Sequence, residues 1–255
     1  MIDYYGITKD FSIDGKAAII TGGAAGIGYA TARFFAEKGA NLVLADINPD
    51  VDAAAKKLGA RNVGVSGDIL DAVSRAAIVR AAAEAFGGAD ILVNSAGIAA
   101  LDNAETLSEE MWDRTLDINL KGSFLMAQAV GKWMIENKRR GSIVNIASQA
   151  GVVALDRHVA YCASKGGVIS MTKVLALEWG RHGIRVNAVS PTVVLTELGR
   201  RAWDGPVGDE FKKEIPAGRF AEPDEIAAVI AFLSGDSAAM ITGHNLVIDG
   251  GYTIR

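Results

Sequence analysis

The stretch that decides the fold is KAAIITGGAAGIG at residues 16–28, where a short apolar run passes directly into a glycine-rich turn. An Ala-rich helical pattern follows near residues 27–38. The spaced glycines allow a tight turn, a close approach of a ligand to the backbone and close packing of the helix on the strand. The start of the helix would then offer free N–H groups and a positive dipole end to a pyrophosphate. The residues that we predict to bind this phosphate are Gly22, Gly26, Ile27 and Gly28.

The alternation of strand and helix patterns continues to the end of the chain. Short apolar, β-branched runs lie at 16–21, 41–46, 62–68, 90–97, 141–148, 184–191 and 245–251. Helical patterns lie near 27–38, 50–58, 71–86, 108–137, 158–180 and 223–234. Near-continuous apolar strands are typical of a parallel sheet buried on both faces, so we predict one doubly wound α/β domain over residues 1–255. The segment 192–222 is rich in glycine and proline and breaks this rhythm, which predicts a lid.

The composition excludes several classes of protein. The chain has 255 residues, 50% of them hydrophobic, and a formal net charge of −4, so no nucleic-acid partner is expected. One cysteine, Cys162, excludes an internal disulfide and suits a reducing, cytoplasmic location. Residues 1–11 lack the pattern of a signal peptide, and no apolar run reaches membrane-spanning length. No spacing of His, Cys and Asp predicts a catalytic metal.

An acidic residue at the end of the second predicted strand indicates which cofactor would bind. Asp46 can accept hydrogen bonds from both hydroxyls of an adenosine ribose, and its charge repels a 2′-phosphate. Ala25 occupies a position in the glycine turn where an arginine could have balanced that phosphate. Both features favour NAD over NADP. The alternative is that Asp46 only caps the following turn at Asn48-Pro49.

Two further strand ends carry candidate cofactor contacts. Asp68 ends the third predicted strand and is placed to face an adenine edge. The fourth ends in N-S-A-G at 94–97, whose small residues, Asn94 first, would let the cofactor approach the sheet. Strand ends also carry Asp, Asn and Gly simply to turn the chain, so that reading stays open.

A second group of polar residues lies in the later half of the chain. In VAYCASKGG at 159–167, Tyr161 and Lys165 are four apart and share one helix face. Ser148 ends the fifth predicted strand, and the connection that follows can return Tyr161 beside it above a bound cofactor. Asn119 lies among apolar residues of a long helical pattern, where a buried amide is costly unless it is hydrogen-bonded. Asn119 could equally mark a local kink or a satisfied core amide.

Together these residues resemble the short-chain dehydrogenase/reductase family over almost the full length of the chain. The matching pieces are T-G-x-x-x-G-I-G at 21–28, N-S-A-G at 94–97, Asn119, Ser148, Tyr161-x-x-x-Lys165 and SPTVVLT at 190–196. The resemblance implies a Rossmann-type domain with a seven-stranded parallel sheet in the order 3-2-1-4-5-6-7, and a homotetramer. It also implies further cofactor contacts at Ile47, Ile69, Ala96, Gly97, Pro191, Val194 and Thr196.

The resemblance also implies roles for the four polar residues. Tyr161 would be the general acid/base and Ser148 the hydrogen-bond partner of the substrate oxygen. Lys165 would bind the nicotinamide ribose and Asn119 would hold a water in a proton relay. A free tyrosine has a pKa of about 10, so a working base needs roughly 4 kcal/mol of stabilisation to bring the pKa to about 7. We expect the ammonium of Lys165 and the cationic nicotinamide to lower the pKa of Tyr161 in this way.

The predicted substrate site is less closely defined. Its candidate residues are Ser148, Gln149, His158, Tyr161 and Thr192. Polar groups suit a hydroxylated substrate, because each buried hydroxyl needs a partner. Thr192 stands where the family usually has glycine and Ser95 where asparagine is commoner, and His158 could instead begin its helix at a wet surface or subunit contact.

The sequence favours one substrate class over two alternatives. ASQAGVVALDRHVAYCASK at 147–165 and SPTVVLTELGRRAW at 190–203 resemble sugar-alcohol dehydrogenases of the threitol, xylitol or galactitol type, which predicts NAD-dependent hydride transfer between a small polyol such as D-threitol and the corresponding ketose. A reductase of 3-oxoacyl thioesters is disfavoured by Ala25, because those enzymes typically use NADP. A non-catalytic NAD-binding sensor is disfavoured by the intact set of four polar residues.

Overall fold

The computed structural model describes residues 11–255, which form a parallel sheet with helices on both faces. Residues 1–10, on which the prediction of no signal peptide chiefly rests, lie outside the described residues. Within the described part, the seven-stranded sheet has the order β3-β2-β1-β4-β5-β6-β7, as predicted. The strands are β1 Ala17–Thr21, β2 Asn41–Asp46, β3 Val63–Ser66, β4 Ile91–Asn94, β5 Gly141–Ile146, β6 Ile184–Pro191 and β7 Asn245–Ile248.

The helices lie where the sequence patterns place them, with two exceptions. The α-helices are α1 Gly26–Glu37, α2 Val51–Lys57, α3 Ala72–Phe86, α4 Glu109–Leu116, α5 Ser123–Glu136, α6 Val159–Trp179, α7 Glu197–Trp203, α8 Pro206–Lys213 and α9 Pro223–Ser234. The prediction of one continuous helix over 108–137 is wrong, because a π-helical turn, Asp117–Gly122, separates α4 from α5. The predicted lid, residues 192–222, contains α7 and α8.

The two faces of the sheet bury separate apolar clusters. Ile20 of β1 and Leu44 of β2 belong to one cluster and Ile19 and Val43 to the other, because successive side chains of a strand point to opposite faces. The first cluster includes residues of α1 and α9, and the second includes residues of α3, α5 and α6. This double burial explains why the strands read as continuous apolar runs.

The strand order reverses between β1 and β4, which are hydrogen-bonded neighbours. In an open parallel sheet, ligands bind beyond the carboxyl ends of the strands at such a switch point. The glycine turn after β1, the N-S-A-G segment after β4 and Ser148 after β5 therefore meet at one edge. Within residues 11–255, no helix is both long and apolar enough to span a membrane.

Candidate active site

The structure brings Ser148, Tyr161 and Lys165 together. Ser148 follows β5 and caps a short 3₁₀ turn, its Oγ accepting a hydrogen bond from the Ala150 N–H at 3.1 Å. Tyr161 lies in the first turn of α6, with its side chain beside that of Ser148. Lys165 lies one turn further on, with its Nζ 5.6 Å from the centre of the Tyr161 ring. The predicted juxtaposition of the phenol, the hydroxyl and the ammonium is therefore present.

The pKa values of this group are shifted by burial. Burial raises the pKa of Tyr161, Ser148 acts in the opposite direction, and Cys162 adds to the rise. Burial lowers the pKa of Lys165 to about 8. In the chain by itself burial dominates, because desolvation disfavours the charged form of each group, and the lowering of the pKa of Tyr161 by Lys165 together with the cationic nicotinamide stays a prediction. The Nζ of Lys165 instead donates to the Ile146 carbonyl at 2.7 Å.

Asn119 lies in the π-helical turn and is buried. Its Nδ2 donates to the Ile98 carbonyl at 2.9 Å and to Ser164 Oγ at 3.1 Å. Its Oδ1 accepts from the Ile98 N–H at 2.8 Å. A Cβ on Gly97 would lie 3.1 Å from Asn119 Oδ1 and 3.7 Å from Lys165 Nζ, so these three residues are immediate neighbours. The amide is satisfied and marks a break in the helix, and its place in a proton relay stays a prediction.

The glycine turn is held by close backbone contacts. Gly22 has φ +63°, and a Cβ there would lie 2.9 Å from Ala96 Cα. A Cβ on Gly28 would lie 2.1 Å from the Gly22 carbonyl oxygen. Gly22 therefore packs against the residues that follow β4, and Gly28 against the Gly22 carbonyl, only because both residues are glycine. At Gly26, by contrast, a Cβ would meet Thr196 Cγ2 at 3.7 Å, an ordinary contact, so Thr196 faces this turn.

The start of α1 fits the phosphates of a dinucleotide. Its N-cap is Ala25, whose methyl group cannot accept a hydrogen bond from the first-turn N–H groups. Several other helices carry a side-chain acceptor there, such as Asp71 on α3 and Ser108 on α4. The glycine turn therefore combines a close backbone approach with N–H groups left available for an anion.

Asp46 links this turn to the next loop. Its Oδ2 accepts from the Ala24 N–H at 3.0 Å, and its Oδ1 accepts from the Asn48 N–H at 3.0 Å. The turn-capping alternative is therefore realised, together with a bond to the glycine turn. Each carboxylate oxygen has a further lone pair, so Asp46 can still accept bonds from ribose hydroxyls. Ile47 beside it is 74% exposed.

The remaining predicted cofactor contacts divide into edge residues and buried ones. Asp68 is exposed, and its Oδ1 accepts from the Leu70 N–H at 2.8 Å. Ile69 is buried against Gly122 of the π-helical turn. Asn94 is also buried, and its amide donates to Asn145 Oδ1 at 2.9 Å. The Asn94 side chain is thus committed to the sheet interior, where it braces β4 against β5.

The N-S-A-G loop is held by a residue that the sequence analysis missed. The hydroxyl of Thr21 accepts hydrogen bonds from the Ser95 N–H at 3.1 Å and the Ala96 N–H at 3.2 Å. Thr21 ends β1, so these bonds tie the loop to the start of the glycine turn. Its position immediately before the glycines was the available signal.

The segment after β6 runs from the catalytic group toward the glycine turn. Pro191 ends β6, and the Thr192 N–H donates to the Ile248 carbonyl at 3.0 Å. Val194 pairs with Ala221 in an isolated parallel bridge. Thr196 caps α7 by accepting from the Gly199 N–H at 3.0 Å, which holds it opposite Gly26. Thr196 is therefore positioned at the glycine turn, whereas the cofactor contacts of Pro191 and Val194 stay predictions.

Among the predicted substrate residues, Gln149 and His158 flank the catalytic group. Gln149 directly follows Ser148 and is 2% exposed, and its Oε1 finds no hydrogen-bond partner among the described residues. The rings of His158 and Tyr161 are edge-to-face, with centres 6.0 Å apart. The His158 Nδ1 also contacts the Asp156 carbonyl oxygen.

Thr192 directly follows β6 and is buried. Its buried Oγ1 also has no hydrogen-bond partner within residues 11–255. The cavity that it lines is walled by the lid, the start of α9 and the C-terminal loop. A contact between Thr192 and the substrate stays a prediction. Among residues 11–255, no group of three or more His, Cys, Asp and Glu residues could hold a metal ion.

Comparison with known proteins identifies the family. The model of the family described as enoyl-(acyl carrier protein) reductase matches residues 22–253. The chain is 59% identical over 250 residues to the D-threitol dehydrogenase of Mycolicibacterium smegmatis, covering 96% of each chain. It is 54% identical over 253 residues to an NAD-dependent glycerol dehydrogenase of Listeria innocua, covering 99% of each chain.

A solved structure agrees with these matches. A short-chain type dehydrogenase/reductase from Mycobacterium marinum superposes with a TM-score of 0.90 at 32% identity, over 96% of this chain and 98% of that one. The chain belongs to the short-chain dehydrogenase/reductase family. It is an alcohol dehydrogenase of the kind that binds a nicotinamide cofactor.

Proposed function

We propose that the protein oxidises a small sugar alcohol, D-threitol in particular, to the corresponding ketose with NAD. The observation that carries the proposal is the buried Gln149 amide next to Ser148, whose Oε1 lacks a partner among the described residues. Such an oxygen costs free energy unless a ligand hydroxyl donates to it. A polyol offers that second hydroxyl, and a simple alcohol does not. The names of the relatives from M. smegmatis and L. innocua support the same class.

The catalytic step requires a base, an orienting group and a hydride acceptor. Tyr161 takes the proton of the reacting hydroxyl, and Ser148 hydrogen-bonds the same oxygen and orients it. When bound, the nicotinamide supplies the acceptor for the hydride that leaves the carbinol carbon. Lys165 holds a positive charge beneath Tyr161, because a group with a pKa of about 8 is mostly protonated at neutral pH. That charge offsets part of the cost of ionising a buried phenol.

We propose NAD rather than NADP because of Asp46. The carboxylate is fixed at the end of β2 by the Ala24 and Asn48 N–H groups. A 2′-phosphate placed beside it would meet an anion, whereas a ribose diol would meet an acceptor. The L. innocua relative is named NAD-dependent, which supports this choice.

Initial rates of cofactor reduction with C3 to C6 polyols and 2-butanol, each with NAD and with NADP, and of cofactor oxidation with a 3-oxoacyl thioester test the proposal. We expect the highest kcat/KM for D-threitol with NAD, a lower value for glycerol and the lowest for 2-butanol. Oxidation of 2-butanol as efficiently as D-threitol would contradict the role of Gln149. Reduction of a 3-oxoacyl thioester in preference to every polyol would contradict the proposed substrate class.

We further propose a cytoplasmic homotetramer. Leu177 and Val174 of α6 are 84% and 52% exposed, and Phe124 of α5 is 36% exposed, so apolar surface is left uncovered in one subunit. The unpaired thiol of Cys162 suits a reducing compartment. Sedimentation equilibrium of the wild type and of Leu177→Glu tests the assembly. A wild-type mass of one subunit would contradict it.

A further inference from the structure

The C-terminal residues 249–255 form a fixed turn directly after β7. Asp249 is 7% exposed, and its carboxylate accepts from the Gly251 N–H at 2.9 Å and from the Thr253 N–H at 2.7 Å. Burial acts to raise the pKa of Asp249, but the hydrogen bonds from Thr253 and Gly251 outweigh it and lower the pKa. The carboxylate therefore stays ionised at neutral pH and holds the turn in one shape.

Two glycines let this turn pack against the end of the lid. Gly250 and Gly251 have φ of +64° and +93°. A Cβ on Gly250 would lie 2.8 Å from Ile215 Cγ2, and one on Gly251 would lie 3.0 Å from Pro216 Cγ. The Ala217 N–H donates to the Gly250 carbonyl at 3.0 Å. The backbone of the C-terminal turn is thus in direct contact with residues that follow α8.

Aromatic rings continue this contact into both lid helices. Tyr252 is 8% exposed, and its ring stacks on Phe211 of α8, with centres 5.0 Å apart and an angle of 15° between the ring planes. Phe211 in turn lies 4.8 Å from Trp203 of α7. At the edge of the stack, Arg255 lies 4.2 Å from the Tyr252 ring centre and forms an ion pair with Glu214 at 2.5 Å. The C-terminal turn therefore holds α7 and α8 through one stack of side chains.

The apolar cluster around Tyr252 also includes a residue of the loop that follows Ser148. Besides Tyr252 and the lid rings, it contains Val153 from the loop that follows Ser148. The Val153 N–H donates to the Gln149 carbonyl at 2.9 Å. Val193, at the start of the lid, packs on the same cluster. A shift of the Tyr252 ring would consequently change the packing of the lid and of the segment that carries Ser148 and Gln149.

We propose that residues 249–255 hold the lid in position over the substrate site, with Tyr252 as a positioning residue for polyol binding. The Tyr252 ring stacks on α8, whereas Thr196, the lid residue opposite the glycine turn, is held by its own cap on α7, so we expect loss of the ring to affect polyol binding more than NAD binding. The kinetic readout of this proposal depends on the proposed polyol oxidation.

Steady-state kinetics of Tyr252→Ala and Tyr252→Phe test the proposal on the full chain. Tyr252→Ala should raise the KM for D-threitol about tenfold, through loss of a stacked and buried ring, with kcat and the Kd for NADH within twofold. Tyr252→Phe keeps the ring and should restore the wild-type KM. An unchanged KM in Tyr252→Ala, or an equal weakening of NADH binding, would overturn the proposal. If Tyr252→Ala does not fold, Phe211→Leu, which alters the same stack from the lid side, should show the same pattern.

Limited trypsin digestion below the melting temperature provides a test that needs no substrate. Arg200, Arg201 and Lys213 are exposed cleavage sites on α7 and α8. Release of the lid in Tyr252→Ala should speed cleavage at these sites at least threefold over wild type and over Tyr252→Phe. Equal rates in all three proteins would overturn the proposal. The two proposals can fail separately. If the wild type oxidises no polyol but Tyr252→Ala is still cleaved faster, the proposed function is contradicted and the positioning role of Tyr252 is supported.

Discussion

The glycine turn and the lid lie at the same edge of the sheet but are held in different ways. At the glycine turn, backbone meets backbone, as in the 2.1 Å that a Cβ on Gly28 would leave to the Gly22 oxygen. At the lid, side chains from distant parts of the chain meet, as in the stack of Phe211 on Tyr252. The comparison indicates that the cofactor side depends on the absence of side chains, whereas the substrate side depends on which side chains are present.

The largest expected effect is on the substrate side. Tyr161→Phe removes the acid/base hydroxyl, so kcat should fall by at least ~10², the scale of a lost general base. The Kd for NADH, measured by fluorescence titration, should stay within about twofold of wild type. Tyr252→Phe is the matched control, because it removes the same hydroxyl from a ring outside the catalytic group. Most of the activity surviving in Tyr161→Phe would refute the assigned role.

An exchange of charge at the end of β2 tests the cofactor side. Wild type should favour NAD over NADP by at least ~10²-fold in kcat/KM, or roughly 2.7 kcal/mol. The pair Asp46→Ser and Ile47→Arg removes a carboxylate and adds a guanidinium suited to phosphate, so the ratio should narrow or reverse, mostly through KM. Steady-state kinetics with NAD and with NADP on both proteins measure this ratio of kcat/KM values. Equal use of NADP by the wild type would show that Asp46 does not face the ribose.

A single methyl group tests whether the glycine turn depends on an absent side chain. Gly28→Ala should weaken NADH binding by roughly tenfold, because the added Cβ must displace the Gly22 carbonyl and move the turn. Gly180→Ala is the control, since a Cβ there meets no described atom within 4 Å and should leave the Kd unchanged. Similar NADH affinities for Gly28→Ala and Gly180→Ala would show that the glycine turn does not depend on the absence of a side chain at Gly28.

The last expected effect concerns the buried ammonium of Lys165. Its pKa is about 8 in the folded chain and close to 10.5 when exposed, so between these values the unfolded chain binds more protons. The contribution of Lys165 to the free energy of unfolding should therefore rise with pH, by about 1–2 kcal/mol between pH 8 and 10. Urea unfolding of wild type and Lys165→Met across this range measures the difference. If the free energy of unfolding changed with pH equally in the two proteins, Lys165 would have its ordinary pKa in the folded chain.

The regular parts of the fold could be predicted from local sequence. β2 and β6 begin and end where the predicted runs do, because a strand buried on both faces is built mainly from apolar residues. The helix predicted over 108–137 was wrong in its middle, because the break at Asn119 depends on the Ile98 backbone, which periodicity does not report. Ser148, Tyr161 and Lys165 were correctly placed together, since one strand end and one helix turn suffice to do so.

The sequence by itself determined the glycine turn and the placement of Tyr161 and Lys165 near Ser148, because each is encoded in a short segment with its own spacing, whereas the sheet order followed from the resemblance to the family. Only the tertiary structure decided the pKa of Tyr161, which depends on burial by the surrounding elements. It likewise decided that Tyr252 would stack on Phe211, residues that are far apart in the chain. Desolvation and side-chain packing are sums over neighbours from many segments, so no single stretch of sequence contains them.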